Sequence, residues 1–448
     1  MHGDFSRNPL FARGAMSRVL MQQGRVQLDS DWNEQTELTL RALRTAVRDL
    51  IGPHGGAGTA FEISVDPGQQ FRFRIGHGHY YVDGLLADNG QAVPVRTRGG
   101  GPATGGGAGT PPPPATANGI LYSEQPFFPG VAPNAPHFDT TVDQLVYLDV
   151  WERHVSAAEE DSLREVALLG PDTASRAEIV WQVRVLDLTN RDAVFQQNDP
   201  YDALHEILDA RVTLRAQAVK NTDTDPCIIS PESRYRGDNR LYRVEIHDAQ
   251  KGTFKWSSDN ASISYPVRNI EGTTIELDSL GRDNRTAISI GDWVEVVDEE
   301  SSLLSRAYEL AQVVAVDRSR LEITVDAPLQ NPVEPATSRR TILRRWATKP
   351  IEIDLATDPT QEWFDLSDGV SVQFSAPKDT PRYRTGDYWL IPARSATGDV
   401  VWPKEGNVPA QLPPHGIEHH YAPLALWKAA SQSFDGTLRK TYKYLTEG

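Results

Sequence analysis

The sequence predicts a mainly β, multi-domain protein: small antiparallel sandwiches or barrels, one of them SH3-like, behind an N-terminal extended arm and one long helix. Three observations carry that expectation. Apolar and polar residues alternate at period two in many short stretches, as half-buried strands require. Gly, Pro, Asn and Asp punctuate those stretches at turn-like intervals. At roughly 150 residues per folded unit, 448 residues make about three domains behind the arm. The expected divisions are 1–55 (arm and helix), 56–220 (a β-rich domain with a Gly/Pro-rich insertion at 99–119), 221–346 (barrel-like) and 347–448 (a C-terminal β domain).

The long helix is expected from Asp31 to Ile51. Asp31 is placed to cap its N-terminus, with Glu34 three residues on, and Gly52-Pro53 stops it. Leu40, Leu43, Val47 and Leu50 recur at alternating steps of three and four, while Arg41, Arg44, Arg48 and Asp49 lie off that stripe. Such a helix buries one narrow seam against a sheet or a partner helix. The polar-apolar stretch before it, Phe5 to Asp29, has weak periodicity and is expected to be an arm ordered by docking on a neighbouring polypeptide.

Short antiparallel strands follow at 61–65, 71–75 and 80–82, broken by Pro67-Gly68 and Asp83-Gly84. Between Gly99 and Gly119, Gly and Pro supply 13 of 21 residues, which marks an insertion with little to bury. Strands are next expected at 145–151 and 179–186, with Trp151 and Trp181 in one core and a segment of helical composition, 157–169, between them. In Tyr242 to His247, apolar residues alternate with Arg243, Glu245 and His247, which predicts one wet face. Strands at 274–277, 293–297, 311–316 and 321–325 have the spacing of a small barrel. The last region repeats the style at 370–374 and 388–392.

The formal charge of −16, without a long basic run, disfavours nucleic acid and anionic membrane surfaces as partners. The single cysteine, Cys227, removes an internal disulfide framework and reads as a small core residue. No stretch of eighteen apolar residues and no apolar leader region are present, so cytoplasmic folding and assembly, followed by release as part of a particle, is the expectation.

The common catalytic signatures are missing: no Gly-x-Ser-x-Gly, no Gly-x-x-x-x-Gly-Lys, no His-Glu-x-x-His and no Cys-x-x-Cys. Two histidine groups have weak metal-ligand spacing, His77 and His79 near Asp83, and His415, His419 and His420 beside Glu418. Hydration of a hairpin tip is the plainer account of the first, and no metal or other cofactor is expected. Asp298, Glu299 and Glu300 read as a solvated turn. Arg339, Arg340, Arg344 and Arg345 flank a strand-like Thr341-Ile342-Leu343, which splits them between two faces and pairs them with acids. Most of the ten tryptophans lie within alternating strands and read as core or interface anchors.

Gly3-Asp4-Phe5-Ser6-Arg7, followed by the string from Ser17 to Gln35, resembles the N-terminal signature of an uncharacterised bacterial domain family. That family is associated with phage-tail-like extracellular contractile injection systems and sometimes sits ahead of a parallel β-helix. Tyr147 to Arg153, Gly170 to Thr173, Val180 to Val183, Phe254 to Ser257, Tyr388 to Arg394 and His415 to Leu424 extend the resemblance over nearly the whole chain. It implies a context and transfers no catalytic residue.

The resulting expectation is a structural subunit of such a particle, at the baseplate or as a fibre or fibre adaptor, with no enzymatic step. Its partners would be other particle subunits and further copies of itself. Assembly would run through Arg18, Met21, Arg25, Trp32, Leu40, Leu43 and Val47, because tryptophan and arginine dominate contact energies. The alternative is a glycan-binding or glycoside-active module displayed or delivered by the particle and touching cell-surface glycan.

Overall fold

Period-two burial marks strands such as Thr213–Ala218 and Thr274–Leu277 of the computed structural model, which describes residues 1–6, 16–65, 73–90, 119–128, 138–189, 195, 198–209, 211–218, 235, 237–329, 340–353, 363–375, 383–435 and 438–442. The fold is mainly β, as expected, with several small antiparallel sheets and one closed barrel. The insertion up to Asn118, Cys227, Arg339 and the Pro67-Gly68 turn lie outside the described residues.

Two compact units form, each from non-contiguous segments: Met1–Arg41, Glu152–Glu178 and Asp209–Glu418 make the first, and Ala42–Trp151, Ile179–Leu208 and His419–Gly448 the second. The four consecutive divisions drawn from composition are thus threaded through two units.

In the first unit, Thr253–Ser257, Arg240–Asp248 and Tyr388–Arg394 form the middle of a five-stranded antiparallel sheet edged by Ile351–Glu352 and Asp399–Val400. Its apolar face, with Tyr242, Val244, Ile246, Phe254, Trp389 and Ile391, shares one core with Leu214, Val372 and Phe374 of a three-stranded sheet, Phe364–Asp365, Val370–Ser375 and Thr213–Ala218. This is a small sandwich. The barrel expected within 221–346 closes in the order Ser264–Glu271, Thr274–Leu277, Glu322–Val325, Leu310–Asp317, Trp293–Val297, Ile342–Trp346 and back to the first. Val267, Ile275, Val294, Val313, Ile323 and Leu343 fill it.

In the second unit, Ser433–Asp435, His419–Lys428, Gln144–Val155 and Arg176–Asp187 lie in one sheet, and Thr441–Tyr442, His54–Ala57, His79–Val82 and Leu85–Asp88 in another. Ile63–Val65, Phe73–Ile75 and Ile120–Leu121 make a third. Val146, Leu148 and Val150, alternate residues of one strand, share the main core with Trp181. Leu145 and Tyr147, on the opposite face of the same strand, pack with Leu204 and Tyr421. Trp151 falls on that second face, stacked on His419, so the two tryptophans expected in one core belong to different faces.

Three other expectations need correction. The long helix begins at Asp29, two residues early. The Asp31 carboxylate accepts from the Leu28 amide at 3.3 Å, and Asp29 accepts from the Ser6 amide at 2.8 Å. The segment 157–169 contains two 3-10 turns, Asp161–Leu163 and Val166–Leu168, in place of the helix its composition suggests. A helix without a sequence signal, Pro200–Leu208, covers strand His419–Lys428. Its nine residues are too few for a clear periodic pattern.

The Asp83-Gly84 turn shows how a local signal became a packing requirement. Val82 pairs with Leu85, so the loop has two residues, both with positive φ (48° and 85°), the backbone of a tight hairpin. A Cβ on Gly84 would collide with the Arg44 carbonyl oxygen and stand 2.6 Å from the Arg44 Cα. Replacing Gly84 with alanine is expected to destabilise the protein by about 2 kcal/mol or more, from αL strain plus that clash. Urea unfolding measures it, and an unchanged midpoint would disprove the close approach.

Candidate assembly surface

The helix Asp29–Ile51 turns few of its side chains inward: only Ser30 and Leu38 are buried. Its contacts with the first unit are largely polar. Gln35 Oε1 accepts from the Val19 amide at 2.9 Å, and an Arg41 Nη donates to the Met16 carbonyl at 3.1 Å, so the arm runs alongside the helix. In the second unit Arg48 lies 3.6 Å from Asp83. Several apolar residues stay in the open, although Leu38 is buried. Trp32 is 78% exposed, Leu43 58% and Leu50 86%, while Leu20 at 70% and Val26 at 83% are open on the arm. Met16, Met21 and Leu28 are also exposed. Isolated exposed apolar residues need no explanation, but a run of this length is unusual.

Of the residues expected to mediate assembly, Arg18, Met21, Arg25, Trp32 and Leu43 are exposed, and Leu40 and Val47 are half-buried. Within the stripe, Leu40 and Val47 are thus half-buried and Leu43 and Leu50 exposed. Thr36 and Thr39, which an apolar count passes over, and Ala46 are exposed on the same helix. Counting steps from Trp32 instead of counting apolar residues would have found them.

The start of the arm behaves differently from the expectation of docking elsewhere. Residues 1–6 are held by the first unit itself. The Met1 carbonyl accepts from an Arg243 Nη at 3.2 Å and from Asn260 Nδ2 at 3.1 Å, and the Gly3 carbonyl accepts from the same amide at 2.8 Å. His2 Nε2 meets Glu245 at 3.1 Å, Phe5 packs near Leu241, Tyr388 and Leu390, and Arg394 donates to the Ser6 carbonyl at 2.7 Å. Backbone acceptors and one imidazole thus satisfy charges that the fold would otherwise leave buried.

Those charges form the second finding that the sequence hid. Arg243, Glu245 and His247, read as a wet face, are all buried. Glu245 accepts from Arg243 Nε at 2.6 Å and lies 3.5 Å from Lys255 Nζ, which donates to Glu295 of the barrel at 2.6 Å. Trp346 Nε1 also donates to Glu295, at 3.0 Å, and its ring lies 4.3 Å from the Lys255 ammonium. Burial alone would raise Glu245, but Arg243 and Lys255 outweigh it and hold the carboxyl well below its usual range. A second cluster joins Arg153 to Glu159, Glu299 and Glu178, and Arg340 to Glu178 and Glu299. Asp298, expected in a solvated turn, is buried and caps the short helix Glu299–Leu304 by accepting from the Ser301 amide at 2.8 Å. Arg345 pairs with Asp259 and Asp292, so Arg340 and Arg345 are paired with acids as expected, whereas the Nε of Arg344 is buried without a hydrogen-bond partner.

Histidines are also absorbed into structure. His415, in the first unit, accepts from the Leu390 amide through Nδ1 at 3.0 Å. In the second unit His419 meets Asp149 at 2.6 Å, and His420 meets Asp83 at 3.1 Å, because consecutive strand residues face opposite ways. Arg184 lies 3.3 Å from the same Asp149, and Tyr201 donates to Asp83 at 3.0 Å. His77 bonds the Asn89 carbonyl, and His79 lies 3.4 Å from Asp88. Among the described residues, no three His, Cys, Asp or Glu side chains gather as metal ligands. A polar recess of about 550 Å³ in the first unit is lined by Asp4, Asp29, Asp259, Arg240, Arg285 and Arg394 among others, with Phe5 the one aromatic among the described residues. Arg240 and Arg285 already bond Asp259, at 3.2 and 3.4 Å.

A family model described as a family of unknown function (DUF6519) matches residues 1–112, 123–221 and 203–434. No curated protein and no solved structure matches the chain.

Two outcomes follow from this geometry. Because Trp32 is exposed, Trp32→Ala in the isolated protein, at a concentration where it is a single chain, should move unfolding free energy by no more than about 0.5 kcal/mol. A loss near the ~3 kcal/mol of a buried tryptophan would show that the chain packs it internally. Stability should also fall as pH is lowered. Burial pushes His54, His247 and His415 down to about 4 from 6.5, so between those values the unfolded chain binds more protons than the folded one. Asp387, pushed up to about 6 by burial, acts oppositely below that pH, one carboxyl against three imidazoles. Urea midpoints should therefore drop from about pH 7 to about pH 5, and His247→Gln should flatten the slope; a flat or rising profile would contradict the buried neutral imidazoles.

Proposed function

The chain belongs to the DUF6519 family, and from that premise we propose that it is a structural subunit of a contractile injection particle, at the baseplate or as a fibre or fibre adaptor. It acts through contacts with other subunits, and no covalent step is assigned to it. The observation that carries this reading is the apolar run along the arm and helix, with Leu20, Met21, Val26, Leu28, Trp32, Leu43 and Leu50 exposed. Apolar area of that extent is stabilised by removal from water in an assembly. The string Ser17 to Gln35, which bears the resemblance to the domain family linked to such particles, is the segment from which most of these side chains project.

Two further features support the reading. Trp151, Trp181, Trp256, Trp346, Trp389, Trp402 and Trp427 are buried in the β modules, where they build cores. The charged residues at the junction of sandwich and barrel are spent on one another in short ion pairs. Both are the properties of a rigid support. A glycan platform would instead present several aromatic rings in one open cleft, and among the described residues the polar recess offers a single phenylalanine.

Electron microscopy of particles from a strain lacking this gene is the test. Particles missing a baseplate or fibre component, restored by the wild-type gene, are expected. Complete particles with an unchanged tip would overturn the proposal.

A further inference from the structure

We infer that residues 1–6 form a strap on the first unit that lets go in mild acid, because His2 on the strap and His154 against it are enclosed together with Arg243 and Arg344. Most of what holds the strap does not titrate. The Met1 and Gly3 carbonyls accept from Asn260 Nδ2 at 3.1 and 2.8 Å, an Arg243 Nη reaches the Met1 carbonyl at 3.2 Å, and Arg394 reaches the Ser6 carbonyl at 2.7 Å. Phe5 packs on Leu241, Tyr388 and Leu390. The Ser6 amide donates to Asp29 at 2.8 Å. Burial alone would raise that carboxyl, but the bonds from Ser6 outweigh it and hold it below its ordinary 3.8, so it stays ionised at pH 5.

The imidazoles are different. The His154 ring lies 6.5 Å from the His2 ring and 6.2 Å from the Phe5 ring, edge to face with both. Both of its nitrogens are buried with no hydrogen-bond partner among the described residues. A proton added there would create a cation beside the Met1 amine, Arg344, Arg243 and Arg153 with nothing to accept it. Burial first, and those positive neighbours second, hold the ring uncharged well below its ordinary 6.5.

His2 does face an acid, Glu245 at 3.1 Å, but that carboxylate already accepts from Arg243 at 2.6 Å and lies 3.5 Å from Lys255. Burial, with Arg243 and Arg344, outweighs it and keeps His2 well below 6.5 as well. The other acids that Arg344 faces, Glu159 and Glu295, are taken by Arg153 at 2.9 Å and Lys255 at 2.6 Å. The Met1 amine, which donates to the Tyr388 hydroxyl at 2.7 Å, is pushed down by burial with the same sign.

Once the strap is free, both rings return toward 6.5. The docked strap therefore binds fewer protons than the released one, and docking weakens as pH falls below 6.5. For one ring the loss between pH 7 and pH 5 approaches about 25-fold, and the two losses multiply. Release uncovers Leu241, Tyr388 and Leu390 and leaves Arg243 and Asn260 to water. The switch lies within the first unit and does not depend on what the chain assembles with.

Hydrogen exchange of the untagged full-length protein, corrected for the intrinsic rate at each pH, is the test. The Phe5 and Ser6 amides, bonded to the Gly3 carbonyl and to Asp29, should lose protection at least about tenfold from pH 7 to pH 5. Val296 and Leu343, paired in the barrel, should remain better protected than the strap throughout. His2→Gln keeps a donor for Glu245, and His154→Leu removes two unpartnered nitrogens; each should shrink the loss at least about threefold. Far-UV circular dichroism confirms that both variants are folded. Strap protection that changes less than about tenfold, a loss undiminished in both variants, or a strap protected equally with the barrel at both pH values would each overturn the inference.

Discussion

The lysine between two glutamates organises the first unit. Lys255 belongs to the sandwich, Glu295 to the barrel, and the ammonium lies 2.6 Å from Glu295 and 3.5 Å from Glu245. A carboxylate or ammonium taken out of water alone costs several kcal/mol. None of the three can stay buried unless the other two hold their positions, so the sheet and the barrel are tied to one mutual arrangement. Arg243 extends the same constraint, and its guanidinium lies 3.7 Å from the Tyr388 ring. The backbone of residues 1–3 completes the set by accepting from Arg243 and Asn260.

Such a junction is specific more than it is strong. An apolar contact of equal area would tolerate sliding, whereas paired charges are satisfied in one register only. In the function proposed above, that suits a support whose modules hold shape while an outer surface engages other polypeptides. Along the long helix, Leu38 is buried and Leu40 and Val47 are half-buried, while Trp32, Leu43 and Leu50 are exposed and Gln35, Arg41 and Arg48 engage the chain's own body.

Much of this was legible in the residues. Period-two alternation located strands such as Thr274–Leu277 and Trp293–Val297 to the residue, because a pleated backbone sends alternate side chains to opposite faces regardless of what covers them. The helix was readable from its stop signal and its stripe, and the Asp83-Gly84 turn from its dipeptide.

The sequence by itself determined a β-rich chain, its strands, its barrel and an arm leading into one helix, since these depend on periodicity and turn chemistry within short windows. Only the tertiary structure decided that Arg243, Glu245 and His247 are buried, that Trp151 and Trp181 occupy different faces, and that His419 and His420 serve different carboxylates. Alternation says that two faces differ without saying which one water reaches. That depends on partners hundreds of positions away, such as Asp149 for His419 across 270 residues.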